Sequence, residues 1–364
     1  MRRRHLCLSL LLAIAPLASA QQPPPVPAVD AATRTAVIAS LGKQLHEVYV
    51  FPDVADRVAA ALTAKDAQGG YAADNDAMKF SDALSSDLRA LGKDGHFRVE
   101  FAPGAHPRAA TLSDAKPGPE ELAQMRREIA TMAYGIQRVE RLDGNVGYLE
   151  VRGFGPTDMV GDALSSAMTV LSGTDAMIID LRRNGGGEPS TVAYLMSHFF
   201  AANDRRHLND ITTRAVHRTD QFWTTADVRV HYDKPVYVLT SGRTFSGGEE
   251  FAYDMQAQKR AVLVGETTGG GANPGDDFAL GHDFVAFIPT GRSINPVTHT
   301  NWEHVGVRPD IAVPAADAQK TAYVAILRRL LADAKDPEQR EYVQNTLEQV
   351  ESGVVQAPNY ARHP

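Results

Sequence analysis

The stretch Leu239–Tyr253, LTSGRTFSGGEEFAY, joins the end of one predicted element to the start of the next. Val236–Leu239 is an apolar run typical of a buried strand, and the turn-forming residues Ser241-Gly242-Arg243 end it. Ser246 then begins a helical pattern. At the amino end of a helix, backbone N–H groups are free and the potential is positive. Such donors stabilise the oxyanion that forms when a serine attacks a carbonyl, so Ser246 is a candidate nucleophile.

The same serine also fits a purely structural role. Ser246-Gly-Gly-Glu249 has the spacing of a capping box, in which the serine caps the helix and the glutamate bonds back to it. Thr244 takes the place of the first glycine in the G-x-S-x-G elbow of α/β-hydrolases, so that motif is not met. This stretch alone favours the cap, and the rest of the chain has to decide between cap and nucleophile.

The beginning of the chain has the pattern of a secretory signal peptide. Arg2-Arg3-Arg4 is a basic segment, Leu6–Pro16 is apolar, and Ala18-Ser19-Ala20 predicts cleavage after Ala20. The apolar run is too short to span a membrane, so we expect no stable membrane insertion after cleavage. Cleavage removes three arginines and the single cysteine, which changes the net charge from −7 to −10. A cysteine-free exported chain fits a periplasmic or secreted protein, and the acidic balance argues against a nucleic-acid partner.

The remaining pattern predicts an α/β protein with a small helical domain before the sheet. Residues 21–29 form a Pro-rich linker, 30–102 a bundle of three helices that ends in a His-bearing strand, and 103–143 a loop with a connector helix. Strands and helices alternate through 144–335, which predicts βαβ units and a mostly parallel sheet. Within it, Asp283–Pro289 and Arg292–Pro296 have the pattern of a hairpin that turns at Thr290-Gly291. Residues 336–364 are predicted as a terminal helix and tail.

Two glycine-rich loops follow predicted strands. Asp180-Leu-Arg-Arg-Asn-Gly-Gly-Gly187 precedes a helix, and its glycines allow backbone N–H groups to turn towards a ligand. It is either a plain turn or a ligand loop, and a phosphate loop is disfavoured because no G-K-[ST] follows. Gly269–Gly275 fails the dinucleotide pattern, since Pro274 stands where the last glycine belongs. We therefore expect no nucleotide cofactor.

Two titratable residues are candidates with weaker individual signals. His96 follows the last helix of the bundle in Asp94-Gly95-His96, and a lone histidine is more often structural than catalytic. Glu303 lies in the loop Asn301–Asp310, where an exposed carboxylate is the commoner outcome. Neither residue decides the function by itself.

Taken together, the motifs resemble one known family. D-G-H-F, D-L-R-R-N-G-G-G, T-F-S-G-G-E-E, V-G-E-T-T-G-G-G and G-V-R-P-D occur in this order between His96 and Pro314. In this combination the chain is similar to the tail-specific (C-terminal-processing) serine proteases, in the branch of the tricorn protease core and the interphotoreceptor retinoid-binding protein modules. The resemblance implies a Clp-protease/crotonase-like core and a catalytic Ser246.

The resemblance also implies which residues surround the serine. Many tail-specific proteases use a lysine 25 residues after the serine, but that position is Gly271 here. The tricorn-like arrangement instead uses a histidine and a glutamate, which His96 and Glu303 match. His96 would be the base and Glu303 its acid partner, and the N–H groups of Gly247 and Gly186 would form the oxyanion hole. No cofactor and no metal is expected.

The implied function is an exported serine peptidase that cleaves a peptide or protein substrate through an acyl-enzyme. The family's PDZ domain is not expected, because the interval between His96 and Gly144 is too short for one and reads as loop and helix. Tail specificity is therefore open. A non-catalytic module that binds an apolar ligand and an esterase with the same triad remain alternatives. A zinc hydrolase is more distant, since no H-E-x-x-H occurs. The pattern does not indicate an oligomeric state.

Overall fold

In the computed structural model, residues 26–104 and 118–353 are described, and the predicted signal peptide lies outside them. The amino-terminal part is a three-helix bundle of α1 (Ala31–Val48), α2 (Pro52–Ala67) and α3 (Ala77–Gly92). Asp30 and Asp76 cap α1 and α3, each accepting a hydrogen bond from a backbone N–H three residues on. The short strand β1 (Arg98–Phe101) follows the bundle. His96 was predicted to lie on this strand. It lies instead in the turn before β1.

The second part of the described chain is built on a six-stranded sheet. Its strands run in the order β12-β8-β7-β4-β3-β2, and all neighbours are parallel except β2 and β3. The members are β2 (Ile136–Leu142), β3 (Val146–Val151), β4 (Ala176–Asp180), β7 (Val236–Thr240), β8 (Ala261–Gly265) and β12 (Ile311–Ala312). Strands β3, β4 and β7 are buried along their whole length, as expected for a parallel sheet covered on both faces. The predicted α/β class is confirmed.

Helices cover the sheet on both faces. The connector α4 (Pro119–Thr131) leads into β2, and α5 (Thr157–Leu171), α6 (Pro189–Ser197) and α7 (Gly247–Ala257) share one apolar core with the sheet. The terminal helices α8 (Ala315–Asp333) and α9 (Pro337–Ser352) pack on the opposite face. No helix in 26–104 or 118–353 is both long enough and apolar enough to cross a bilayer.

Two three-stranded sheets complete the described fold. One has the order β1-β10-β9, with β9 (Gly275–Gly281) and β10 (Phe284–Pro289), and the other has the order β11-β5-β6, with β5 (His207–Thr213), β6 (Arg218–Trp223) and β11 (Gly291–Ile294). The β9–β10 hairpin packs its apolar face into the core of the helical bundle. It therefore joins the amino-terminal unit, although it lies far along the chain.

The predicted hairpin around Thr290-Gly291 is wrong. Strand β10 pairs with β9 and β1, whereas β11 pairs with β5 in the other sheet. The N–H groups of Thr290 and Gly291 both donate to Pro274 O, at 2.9 and 3.0 Å. A neighbouring loop therefore fixes the link at which the chain passes from one three-stranded sheet to the other. The true hairpin turns at His282 and Asp283, which both have positive φ, 52° and 60°.

Candidate active site

Ser246 lies on a strained turn between β7 and α7. Its φ and ψ are 52° and −123°, a region that side-chain-bearing residues rarely adopt. Such strain persists only where the surroundings enforce it, and it is concentrated at functional sites. Ser246 also lines a cleft of ≈ 500 Å³. The backbone geometry and the exposure to the cleft both exceed what a helix cap needs.

Hydrogen bonds join the segment before Ser246 to the first glycine loop. Phe245 N donates to Asn184 O (3.0 Å), Thr244 Oγ1 to Leu181 O (2.8 Å) and Ser241 Oγ to Arg182 O (2.5 Å). The two segments pack so closely that a Cβ atom at Gly186 would lie 2.6 Å from Ser246 Cβ. The carboxyl ends of β4 and β7 thus bring the glycine loop against the serine.

The side chain of Glu249 fixes the first turn of α7 through hydrogen bonds. Its side chain is buried and accepts four hydrogen bonds, from Ser246 N (2.9 Å), Gly271 N (2.9 Å), Gly270 N (2.6 Å) and Thr268 Oγ1 (2.5 Å). Burial raises the pKa of this carboxyl, and the four donors act in the opposite direction. The predicted link from Glu249 to Ser246 is present, so a capping interaction and a strained serine facing the cleft coexist at this turn.

The structure modifies the predicted oxyanion donors. Gly186 N donates to Asn184 Oδ1 at 2.8 Å, so its N–H is already used. Within the described chain, Gly247 N and Gly187 N have no acceptor, and a Cβ atom at Gly247 would lie 3.1 Å from Gly187 N. The available pair is therefore Gly247 and Gly187, one residue beyond the predicted position in the loop.

His96 enters the same cleft from the amino-terminal unit. Its ring packs on Phe245 (centroids 4.6 Å apart) and stacks with Phe287 of β10 (6.0 Å), and it lines the cleft together with Ser246. Neither ring nitrogen has a hydrogen-bond partner among the described residues. The structure thus places the predicted base and nucleophile in one cleft without a hydrogen bond between them, and such bonds often form only with substrate present.

Two carboxyl groups lie beside the imidazole. One oxygen each of Asp94 and Glu303 and one nitrogen of His96 all lie within 4.8 Å of one another. His96 Nδ1 is 3.6 Å from Asp94 Oδ1, which also accepts a hydrogen bond from His96 N (3.0 Å). Burial, followed by the charge of Asp94, raises the pKa of Glu303 to about 8. The predicted acid is therefore close to His96, but a second acid is closer.

Asp94 is held on its other side as well. Asn273 Nδ2 donates to Asp94 Oδ2 at 3.0 Å, and Tyr49 OH lies at 3.5 Å from the same oxygen. Only 1% of Asp94 is exposed. Asp94 begins the D-G-H-F motif, but no role was predicted for it. Its short spacing from His96 was the available signal.

Gly271, at the position where the resemblance would place the lysine of a Ser–Lys dyad, is tightly packed. A Cβ atom there would lie 2.3 Å from Phe245 Cζ and 2.8 Å from His96 Cε1. The backbone is fixed as well, because Gly271 O accepts from Trp302 Nε1 at 2.8 Å. A side chain at this position would displace the histidine, so the glycine and the histidine are mutually compatible.

Comparison with known families assigns the chain to one of them. Residues 145–313 match the model of peptidase family S41, and residues 26–134 match the N-terminal domain of peptidase S41 in eukaryotic IRBP. The chain belongs to peptidase family S41. This is a family of serine peptidases, and the predicted relationship to C-terminal-processing proteases is confirmed.

Individual relatives are distant. Carboxyl-terminal-processing peptidase 1, chloroplastic, from Arabidopsis thaliana is 23% identical over 213 residues, which are 57% of this chain and 42% of that protein. The chain thus matches less than half of this curated relative's length. A candidate peptidase from Parabacteroides merdae superposes with a TM-score of 0.52 at 20% identity, covering 77% of this chain and 90% of that one. Mature CPAF gives 0.53 at 12% identity, with 90% and 99% covered. These structures support the shared fold.

Proposed function

We propose that this S41 protein is a serine peptidase in which Ser246 is the nucleophile and His96 the general base. The observation that carries the proposal is the strained Ser246, which faces a cleft that also contains His96. Ser246 Oγ attacks the scissile carbonyl, and His96 takes the hydroxyl proton through the ring nitrogen that faces the serine. The protonated imidazole then gives that proton to the leaving amine, and water releases the acyl group by the reverse sequence.

Asp94 and Glu303 have different roles beside His96 in this proposal. Asp94 Oδ1 lies 3.6 Å from His96 Nδ1 and orients the ring. Glu303, which the family resemblance names as the acid, has a raised pKa of about 8 and holds a proton at neutral pH beside Asp94. The proton removes the repulsion between two buried carboxyl groups. Asp94 is thus the positioning residue at neutral pH.

The oxyanion is stabilised by two backbone donors at the start of α7 and in the first glycine loop. Gly247 N and Gly187 N are free in the described structure and lie close together. Oriented N–H groups in a pre-formed turn stabilise negative charge without reorganising during the reaction. The positive end of α7 adds to this effect.

The substrate in this proposal is a peptide or protein whose tail is not gripped by a PDZ domain. The described residues 118–143 contain α4, a short 3₁₀ turn and the single strand β2, and they provide no PDZ-like sheet. Export is part of the proposal and rests on the basic, apolar and Ala-x-Ala pattern of residues 1–20.

The decisive experiment combines a serine-directed probe with a peptide library. We expect a fluorophosphonate to label the wild-type chain at Ser246, and mass spectrometry to identify cleaved peptide bonds. Ser246→Ala should lose labelling and cleavage while its unfolding midpoint stays close to wild type. Turnover at the wild-type rate in Ser246→Ala would refute the nucleophile. Labelling combined with hydrolysis of esters and of no peptide would replace a peptidase by an esterase.

A further inference from the structure

We infer that Asp94, His96 and Glu303 form a binding site for a divalent metal ion of the zinc type, and that occupation of this site switches the peptidase off. The regulatory half rests on the proposed function, whereas metal binding does not. The three side chains come from the turn before β1 and from a loop more than two hundred positions later. No linear zinc motif could therefore reveal the site.

The geometry is that of a site with three protein ligands. One donor atom from each residue lies within 4.8 Å of the other two. A tetrahedral zinc site places its ligand atoms about 3.4 Å apart, as follows from bonds of about 2.0–2.2 Å. The cluster therefore has to contract by about 1.4 Å at most. Glu303 lies in a turn, where such an adjustment is easily made.

Independent evidence for a ligand is the absence of partners for buried polar atoms. Both ring nitrogens of His96 and Glu303 Oε1 lack a hydrogen-bond partner in the described chain. The side chains are only 7% and 8% exposed. Buried polar atoms are normally paired. A cation between the imidazole and the two carboxyl groups would pair one ring nitrogen of His96 and Glu303 Oε1.

The surrounding residues support the ligands in the manner of a metal site. Asn273 Nδ2 and Tyr49 OH contact Asp94 Oδ2, and Ala272 N donates to Glu303 Oε2 at 2.5 Å. Asp94 Oδ1 accepts from His96 N and Glu303 Oε1 accepts no hydrogen bond in the described chain, so both oxygens retain a lone pair for a metal. Outer hydrogen bonds of this type orient the ligands and typically change metal affinity by on the order of 10–100-fold when removed.

The donor set selects the class of ion. One imidazole and two carboxylates, of which Glu303 releases its proton to solvent as the metal binds, suit Zn²⁺ and similar transition metals, whereas Ca²⁺ and Mg²⁺ require more oxygen ligands. The cleft borders His96, so a water molecule can complete four-coordination. The ligand class is therefore a first-row divalent transition metal.

Metal binding would disable His96 as a base. The ring nitrogen nearest Asp94 is Nδ1, at 3.6 Å. A metal bound to Nδ1 leaves the proton of the neutral imidazole on Nε2. That nitrogen then has no lone pair to accept the serine proton. Inhibition follows without any change in Ser246.

A competing arrangement uses the neighbouring histidine. His304 Nδ1 lies 3.5 Å from Glu303 Oε1, but its side chain is 55% exposed and it forms no ion pair with Asp94 within the described residues. A site of His304 and Glu303 alone would have two ligands and bind weakly. His304→Ala is therefore a matched control.

The test is calorimetric titration of EDTA-treated full chain with ZnCl₂, in the Ser246→Ala background to prevent self-cleavage. We expect one saturable site, which becomes on the order of 10–100-fold weaker with Asp94→Asn and with Glu303→Gln. His304→Ala should leave the affinity unchanged. Titration with Co²⁺ should produce visible d–d absorption that the two acid variants lack. Circular dichroism and unfolding midpoints establish that each variant is folded.

The functional arm measures peptide cleavage by the wild-type chain. We expect Zn²⁺ to inhibit at the concentrations that fill the calorimetric site, and EDTA to restore the rate. The site is refuted if Ser246→Ala binds no Zn²⁺, or if both acid variants bind as tightly as their parent. It is also refuted if only His304→Ala removes binding. Unchanged or increased cleavage at full occupancy refutes the switch. A wild type without peptidase activity refutes the proposed function, whereas the calorimetric test of metal binding is independent of that activity.

Discussion

At the scale of single residues, the acids around His96 are unequal. Asp94 is fixed by His96 N and Asn273 Nδ2, whereas Glu303 Oε1 has no hydrogen-bond partner in the described chain. Burial and the adjacent Asp94 raise the pKa of Glu303 to about 8. A glutamic acid that is neutral at pH 7 cannot stabilise an imidazolium by charge, and Asp94 is the remaining candidate for that role.

This difference predicts opposite outcomes for two conservative substitutions. Asp94→Asn should lower kcat by about 10²–10⁴-fold at pH 7, with KM much less affected, because it removes the group that orients the imidazole. Glu303→Gln resembles the protonated acid and should cost far less at that pH. Steady-state kinetics of both variants on one peptide substrate compares them. A larger loss in Glu303→Gln would return the orienting role to Glu303.

The same carboxyl group predicts a pH dependence of stability. Between the ordinary pKa of Glu303, 4.5, and its raised value of about 8, the folded state binds a proton that the unfolded state does not. Its contribution to stability is therefore complete below about pH 4.5 and is lost as the pH rises through about 8. We expect the unfolding midpoint of the wild type to fall from pH 7 to pH 9 more than that of Glu303→Gln. Parallel curves would contradict the raised pKa.

The proximity of the candidate site residues could be predicted from the sequence where each residue belongs to a recognisable motif. Ser246, His96 and Glu303 lie in or beside one cleft, and Gly271 is too crowded for a lysine. Asp94 was not identified, because its approach to His96 Nδ1 depends on how the turn before β1 folds. Gly186 was assigned as a donor because the sequence does not show that Asn184 Oδ1 bonds its N–H.

At the scale of elements, α7, the turn at Ser246 and the second glycine loop meet at Glu249. Glu249 bonds the serine turn through Ser246 N and the second glycine loop through Gly270 N, Gly271 N and Thr268 Oγ1. Because that loop also lies against His96 at Gly271, one carboxyl group links the positions of Ser246 and His96. A capping glutamate thus has a structural role that extends beyond its helix.

Replacement of Glu249 should therefore affect both stability and catalysis. In Glu249→Gln an amide NH₂ faces N–H donors, and we expect a cost of about 1–3 kcal/mol for each buried group left unpaired. Urea unfolding measures this loss, and kcat should fall in the fraction that remains folded. The exposed Glu348→Gln in α9 is the control, with a change of about 0.5 kcal/mol or less. Equal stability of the two variants would show that the four hydrogen bonds do not act together.

The elements themselves were mostly predictable, and the failure lies in their pairing. Strand β3 lies within the predicted alternation of strands and helices, because buried parallel strands are continuous apolar runs. The hairpin was misplaced because Thr290-Gly291 has turn chemistry, while the decisive acceptor, Pro274 O, belongs to another loop. The real turn at His282 and Asp283 lacks the usual Asn-Gly or Asp-Gly signal. Strand pairing depends on such long-range contacts, which local patterns do not contain.

At the scale of the whole molecule, the proposed nucleophile and the proposed base belong to different hydrophobic cores. Ser246 begins a helix that packs on the central sheet, whereas His96 precedes β1, which pairs with the β9–β10 hairpin beneath the helical bundle. The chain therefore crosses from the sheet back to the amino-terminal unit through β9 and β10. A deletion of residues 21–90 would expose the apolar face of this hairpin, so loss of activity in such a truncation would not by itself locate the base.

A point substitution in the second core tests the connection more cleanly. Phe284 of β10 packs against Phe80 of α3 and Phe101 of β1, with ring centroids 5.6 and 5.4 Å apart. Phe284→Ala should cost about 3–5 kcal/mol, as expected for a buried aromatic side chain. It should also lower kcat/KM, because β1 and β10 hold His96 through their pairing and through Phe287.

Leu347→Ala in α9 is the matched control, since it creates a cavity on the far face of the sheet. It should destabilise the fold by about 2–5 kcal/mol and leave kcat/KM of the folded protein unchanged. Both variants are assayed below their unfolding midpoints at equal concentrations of folded protein. Equal kcat/KM in the two would mean that the helical unit does not position the base.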